Sequence, residues 1–356
     1  MTEMSSRERV FRALRHQAPD RMPRTLDVGA SDGIDVTYAE TFRANTGFTD
    51  PAEYFDYDIR HISAPLKPGT LDFTPYYDDL PPGTTFDELG VAHVPVKDFP
   101  LGNYLHPWQR FTSVSEMMDY PLPSFHPKGV VENIRRLKDR GYAVSAPAGS
   151  ISEWVYGLRG MAELLMDMVD NPDLARPVFD RVAALDEQVG VGLAEAGVDI
   201  LCFYDDTATQ TGMLIDPGLW RKWMKPRWTQ IFSAVRRVNP EITILYHSCG
   251  NMEAIIPELI ALGVTVMNPV QPEAMDPIRI KQKYGDKISL WGGIGTQGIM
   301  QSASPETVRD EARRIILEWK KGGGAIVTVA QTILPDVPWP NVVALMEAVQ
   351  DYGKLD

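Results

Sequence analysis

Cysteine is scarce: Cys202 and Cys249 are the only two in 356 residues. That excludes a disulfide scaffold and leaves any special cysteine as a ligand or a nucleophile. Positive charge is short as well, since 48 acidic residues against 35 basic ones give a net charge of -13. Such a surface repels phosphate backbones and anionic headgroups, so neither nucleic acid nor a membrane surface is an expected partner. The densest cationic stretches, Arg135 to Arg140 and the pair Lys320 and Lys321, sit beside acids on helix-like segments. No window approaches the roughly 18 apolar residues of a membrane helix. The opening MTEMSSRERV is charged and polar, which gives the expectation of a cytoplasmic protein. Internal repeats, low-complexity segments and the HExxH and CxxC motifs are also missing.

What is present is an ordinary globular composition, 44% hydrophobic and 23% charged, with a clear rhythm. From about residue 140, apolar runs alternate with segments of helical period, as parallel strands joined by crossover helices do. The expected strands are 142–149, 198–204, 242–248, 264–270, 288–294 and 325–331, most of them apolar nearly throughout, as strands buried on both faces are. Helices are expected over 161–168, 172–196, 217–238, 252–261, 276–284 and 305–321. Ser304-Pro305-Glu306 supplies a capping side chain and a proline at the first helical position, and Ser5 to Glu8 fits a capping box. MPRTLDVG, residues 22–29, reads as a first strand, and one more before residue 70 would make eight. Eight parallel strands, each followed by a helix, close into a (β/α)8 barrel. The fold class expected is therefore α/β, a single barrel over residues 1–356. Residues 65–127 break the rhythm with prolines and aromatics; TTFDELGVAHVPV (84–96) alternates like a hairpin, so this stretch reads as an insertion over one end of the barrel.

Chemistry in such barrels sits at the C-terminal strand ends, and here those ends are polar. The first ends at Asp27, the next polar one at Tyr204, Asp205 and Asp206, then His247 and Cys249, Asn268 and Gln271, Trp291, and Gln331. Residues two apart on an extended segment point the same way, so His247 and Cys249 of HSCG can offer a nitrogen and a sulfur to one ion, a pairing that suits zinc. A third ligand would be a carboxylate, with Asp205 and Asp206 the candidates. The plainer reading is a hydrogen-bonded histidine and an inert cysteine. Asp205 and Asp206 also suit acid/base work, with only one expected to face the pocket because strand neighbours point to opposite faces. Gln210 and Gln271 suit a polar substrate or loop carbonyls. GGIG (292–295) and GGG (322–324) lack dinucleotide or P-loop spacing, and GGG reads as a helix terminator.

Together, RERVFRALRHQAPDRMPR, DILCFYDDTATQTGMLIDPGLWRKWMKPRW, HSCGN, VMNPVQPEAMD, LWGGIGTQ and ILPDVPWPNVVALMEAV make a chain that resembles the uroporphyrinogen decarboxylase superfamily over nearly its whole length. The resemblance implies a (β/α)8 barrel with its site at the C-terminal face. True decarboxylases carry an arginine-rich RQAGRY segment after the first strand; this chain has DVGASDGIDVTYAE there, and AQTI, with Gln331, where they have a histidine in GHGI. Without those arginines a tetrapyrrole bearing many carboxylates is a poor guest for an acidic protein. The chain looks more similar to the corrinoid-dependent methyltransferase branch, the methylcobamide:coenzyme M and O-demethylase methyltransferases. The resemblance implies zinc at His247 and Cys249, although the second cysteine of the coenzyme M enzymes is replaced by Gln331.

The expected activity is transfer of a methyl group from a small methylated donor, for example an aryl methyl ether, to the cobalt of a cobamide carried by a separate corrinoid protein. Asp205 or Asp206 completes the zinc site or gives the proton, with His247 in the same catalytic set. Trp154, Tyr204 and Trp291 line the pocket; Asp27, Gln210, Asn268, Gln271 and Gln331 are further substrate-binding candidates. The 65–127 insertion shapes the face for the corrinoid partner, and a homo-oligomer is compatible. A metal-free lyase or decarboxylase acting on a small carboxylate other than uroporphyrinogen is the alternative, with Asp206 as acid/base and His247 orienting. A barrel that binds without chemistry is the third reading.

Overall fold

Seven short apolar runs pair as one parallel sheet in the computed structural model, which describes residues 4–354 except 30, 64–65, 67–70 and 97–98. In spatial order they are β1 (Ile59–His61), β5 (Ala143–Ser150), β6 (Ile200–Tyr204), β9 (Thr243–His247), β10 (Val266–Asn268), β11 (Ser289–Ile294) and β12 (Ala325–Val329). Alternation sets two layers: Ile200 and Cys202 point to one face of β6, Leu201 and Phe203 to the other. Ile59 of the first strand and Ile326 of the last join Ala143, Ile200, Leu245, Val266 and Trp291 in one buried cluster. The sheet is therefore curled on itself as a barrel, with the larger apolar cluster between its outer face and the helices.

The strand expected at residues 22–29 does not form; this is a correction to the eight-strand count. Pro23 has no N–H to give to a ladder, and two later donors are taken locally. The Asp27 amide donates to Thr25 Oγ1 at 2.9 Å and the Gly29 amide to Asp27 Oδ1 at 2.5 Å, the side-chain competition that short polar residues offer to sheet bonding. The segment still fills the eighth place, with Leu26 and Val28 buried. Side chains hold it there. Asp58, just before β1, accepts from the Arg24 amide at 2.7 Å, from Arg21 Nη1 at 2.6 Å and from Arg9 Nη1 at 2.6 Å. Across the barrel, Trp291 Nε1 donates to the Asp27 carbonyl at 2.7 Å.

Elsewhere the expected elements form with ends shifted by a few residues. The helix expected over 217–238 is two, Pro217–Trp223 and Lys225–Val238, with Pro226 inside the first turn of the second. Ser304 caps its helix through the Thr307 amide. Only half of the box at Ser5 forms: its hydroxyl takes the Glu8 amide, while the Glu8 carboxylate turns to Arg12 at 3.2 Å. Gly292 of GGIG has φ +123°, and a Cβ there would lie 1.8 Å from the Pro269 carbonyl, so this glycine lets β11 pack against the chain leaving β10. All three glycines of GGG have positive φ and follow the helix Pro305–Trp319, as terminators do.

The insertion folds as a three-stranded antiparallel sheet of β2 (Thr85–Phe86), β3 (Ala92–Val96) and β4 (Phe99–Leu105). Its expected first residue, Pro65, lies outside the described residues. A two-stranded ribbon, β7 (Ala208–Thr209) and β8 (Gly212–Met213), follows β6 at the barrel mouth. Among the described residues, no helix is long and apolar enough to cross a membrane.

Arg9 is 2% exposed and Asp58 not at all, so removing the carboxylate leaves buried Arg9 to Asp20 alone and releases the Arg21 side chain and the Arg24 amide. Asp58→Ala is expected to lower stability by roughly 3–5 kcal/mol in urea unfolding, and an unchanged midpoint would remove this clamp from the account of closure.

Candidate functional site

The mouth of the barrel is organised by a hydrogen-bond chain across three adjacent strands. In the middle, the side-chain nitrogen of Asn268 at the end of β10 donates to the Trp291 carbonyl of β11 at 3.1 Å. A carbonyl only accepts, so this bond fixes which way the amide faces and turns its Oδ1 to His247 Nδ1, at 2.5 Å, at the end of β9. Nδ1 must then carry the ring proton. Nε2 is left as a free lone pair, the arrangement in which imidazole ligates metals.

That lone pair faces Cys249 Sγ at 3.4 Å and Asp206 Oδ1 at 3.9 Å. One donor atom from each of Asp206, His247 and Cys249 lies within 4.8 Å of the other two. The turn carrying Cys249 is held on both sides: its amide donates to Asp206 Oδ1 at 2.7 Å, and the Gly250 amide donates to Gln271 Oε1 at 3.0 Å. Gly250 is at φ +83°, and a Cβ there would meet the Thr209 carbonyl at 2.4 Å, which packs the turn on the β7–β8 ribbon. Gln331 Nε2 donates to Cys249 Sγ.

The donor set fits zinc. Bond lengths of about 2.0 Å to nitrogen or oxygen and 2.3 Å to sulfur put tetrahedral edges at roughly 3.3 Å between nitrogen and oxygen and roughly 3.5 Å to sulfur; the nitrogen–sulfur separation of 3.4 Å matches, and Asp206 Oδ1, 3.9 Å from the nitrogen, would have to move in by about half an ångström. Burial, then the Asp206 carboxylate, push the Cys249 thiol well up from its ordinary value. A dication among these groups reverses that penalty, because it stabilises thiolate and carboxylate together. Cys202, sealed inside the barrel, takes no part.

The other residues singled out in the sequence divide sharply. Asp205 is corrected as a pocket carboxylate. It points to the outer face of β6, fully buried, and accepts from the Ser152 amide, Trp228 Nε1 and the Tyr246 hydroxyl, each at 2.8 Å. Trp291 is corrected as a pocket wall: it plugs the barrel interior. Asp27 is likewise internal, accepting from Ser145 Oγ at 2.7 Å with His61 at 3.8 Å. Tyr204 packs its ring edge-on against His247, centroids 5.7 Å apart, and donates to the Gly29 carbonyl at 2.6 Å. Gln210 is exposed and donates to Gln297 at 2.6 Å. Asn268 and Gln271 act on the cluster by holding it, and Gln331 also lines a cleft of about 300 Å³ with Thr296, Gln297 and Thr332.

Trp154 lies in a larger cavity of about 560 Å³ between the helix Ile151–Arg159 and the insertion sheet. Its neighbour Glu153 is the residue that sequence reasoning missed. Ser150 and Glu153 have capping-box spacing, and the Ser150 hydroxyl does take the Glu153 amide at 3.1 Å. The carboxylate itself turns away from the cap toward Asp206. Glu153 is exposed to the cavity, yet protein crowds around its carboxyl, and that crowding, followed by the charges of Asp206 and Asp205, raises it above the usual carboxylate range. Its position just past the end of a barrel strand was the available signal.

The family described as uroporphyrinogen decarboxylase (URO-D) matches residues 110–352. Over 361 aligned residues the chain is 19% identical to the methylcobamide:CoM methyltransferase MtbA of Methanosarcina mazei, covering 99% of each. It is 26% identical over 188 residues to a methylated-thiol–coenzyme M methyltransferase of the same organism, covering 51% of this chain and 46% of that one. Over 187 residues it is 23% identical to a uroporphyrinogen decarboxylase of Coxiella burnetii, covering 52% and 50%. A solved methyltransferase from Methanosarcina mazei has the same fold, with a TM-score of 0.70 at 18% identity over 98% of this chain and 99% of that one. With a barrel of that shape and the family match spanning most of its length, the chain belongs to the uroporphyrinogen decarboxylase family.

Proposed function

We propose that this protein is a methyltransferase that moves a methyl group from a small methylated donor, such as an aryl methyl ether, to the cobalt of a cobamide carried by a separate corrinoid protein. The observation that carries the reading is the cluster of Asp206, His247 and Cys249 at the barrel mouth beside a cavity with aromatic walls. A full-length likeness to a methylcobamide methyltransferase supports it.

In this reading the reaction breaks the bond between methyl carbon and oxygen and leaves the electron pair on oxygen. Cobalt(I) supplies the pair for the new carbon–cobalt bond and becomes cobalt(III). The enzyme's task is to improve the leaving oxygen, which otherwise departs as an unfavourable anion. Asp206, His247 and Cys249 would hold zinc, which when bound supplies Lewis acidity. Glu153, whose carboxyl is raised by burial and by the charges of Asp206 and Asp205, gives its proton to the departing oxygen. Asn268 holds the His247 ring in the ligating tautomer, and Trp154 and Tyr156 place the donor's ring. The lyase alternative finds less support, because among the described residues the cavity lining includes no lysine or arginine to receive a substrate carboxylate.

Metal analysis of protein purified without chelator is expected to find about one zinc per chain, lost in Cys249→Ala with the fold retained by circular dichroism. Zinc content unchanged in that variant would exclude the cluster as a metal site. Asp206→Asn is expected to weaken zinc binding, whereas Asp205→Asn should lower the unfolding temperature at unchanged zinc content; the opposite pattern would reverse their assigned places. Glu153→Gln is expected to slow methyl transfer about a hundredfold or more. A general acid works when protonated, so the wild-type rate should fall as pH rises through the Glu153 value, which burial raises and a dication on Asp206 lowers again, and that limb should vanish in the variant. The same carboxyl, raised on folding, adds stability below its ordinary range that is lost as pH climbs through its folded value. Glu153→Gln should therefore melt higher than wild type at alkaline pH, and a variant with both full rate and an intact alkaline limb would remove Glu153 from the mechanism.

A further inference from the structure

The sulfur of Cys249 has three polar neighbours, and two of them can only accept. His247 Nε2 carries no proton, because the ring proton sits on Nδ1 facing Asn268, and it stands 3.4 Å from Sγ. The Asp206 carboxylate, one oxygen of which lies within 4.8 Å of Sγ, is the second. The third is the side-chain amide of Gln331. A thiol proton on Sγ goes to one of the two acceptors, since giving it to an amide oxygen would set sulfur lone pairs against both of them. A metal-bound thiolate has no proton to give. In either state the sulfur offers Gln331 only lone pairs, so the amide meets it with its NH2 end. The direction of this bond therefore follows from the His247 tautomer.

The backbone places Gln331 firmly. It stands two residues beyond β12, half-buried, and the chain is pinned on both sides of it: the Ala330 amide donates to the Ile294 carbonyl at 2.7 Å, and the Ile333 amide donates to the Gly33 carbonyl at 2.8 Å. A hydrogen bond to a thiolate is charge-assisted. It draws negative charge off the sulfur and leaves less for a bound cation. One thiolate, one carboxylate and one neutral imidazole already bring a dication to zero net charge. A neutral donor on the sulfur moves the site further toward the electron-poor side, where a metal acts better as a Lewis acid.

We propose that Gln331 is a positioning residue of the metal site, one that is not itself a ligand: its amide N–H aims Cys249 Sγ at the space shared with His247 and Asp206 and withdraws charge from the sulfur. The inference rests on the metal reading above and adds to it the group that sets the character of the sulfur.

The test loads the full chain with cobalt(II) in place of zinc and compares wild type with Gln331→Leu, which keeps bulk but has no N–H. In the variant the sulfur-to-cobalt charge-transfer band is expected to move to longer wavelength, because a sulfur without its hydrogen bond gives up electrons more readily. Zinc affinity, read by competition with a chelator, should fall about ten- to hundredfold, as for other outer partners of metal ligands. Gln331→Ala removes the same N–H without adding a branched side chain and should move both readouts the same way. Both changes are required: an unmoved band, or an affinity within about threefold of wild type, overturns the inference. If wild type binds zinc and cobalt and loses both in Cys249→Ala while the Gln331 variants behave as wild type, this inference alone fails. If wild type binds neither metal, the metal reading fails and this inference falls with it.

Discussion

Closure of the barrel rests on one buried carboxylate. A ladder would bind the eighth member of a parallel barrel at every second residue, but Pro23, Thr25 and Asp27 withdraw the 22–29 segment from that bonding. Asp58 compensates by gathering Arg9, Arg21 and the Arg24 amide at a single point at the foot of β1. Charge-assisted bonds of this kind are the strong ones, and burial raises the stakes of each. With the segment held at its foot by Asp58 and higher up by Trp291, the sheet curls fully and its strand ends converge on one mouth.

What converges there is a small set of groups in conflict until something resolves them. The charge of Asp206 disfavours negative charge on Glu153 and on the Cys249 thiol in a crowded space. The imidazole of His247 is aimed into the same space by Asn268, whose own orientation comes from the Trp291 backbone. A dication among the three donors and a proton on Glu153 both relieve the crowding, and each is a resource for helping an oxygen to leave. The glycine at 292 matters to this indirectly, since it lets β11 pack closely on Pro269, the residue after Asn268.

Much of this was legible from residue order. The alternation of buried strands with capped helices announced an α/β barrel, and Gly322 to Gly324 ended a helix as their composition implied. His247 and Cys249 are two apart on an extended run, so their common direction follows from backbone geometry alone. The same rule required Asp205 and Asp206 to part. Local rules fail where local bonds compete with distant ones: 22–29 has a strand's pattern, but the Asp27 and Gly29 amides go to its own side chains and the Arg24 amide to Asp58. They fail again at Glu153, whose spacing from Ser150 is that of a cap while its carboxylate answers to groups on β6 and beyond.

The sequence by itself determined the fold class, the polar strand ends and the pairing of an imidazole with a thiol, because each follows from periods of a few residues along one stretch of chain. Only the tertiary structure decided that Asp206 and not Asp205 joins that pair, that Trp291 and Asp27 are internal, and that Glu153 faces them across the cavity edge. Those outcomes depend on which strands become neighbours and on how deeply each group is desolvated. Both are properties of the closed barrel, and no single segment contains them.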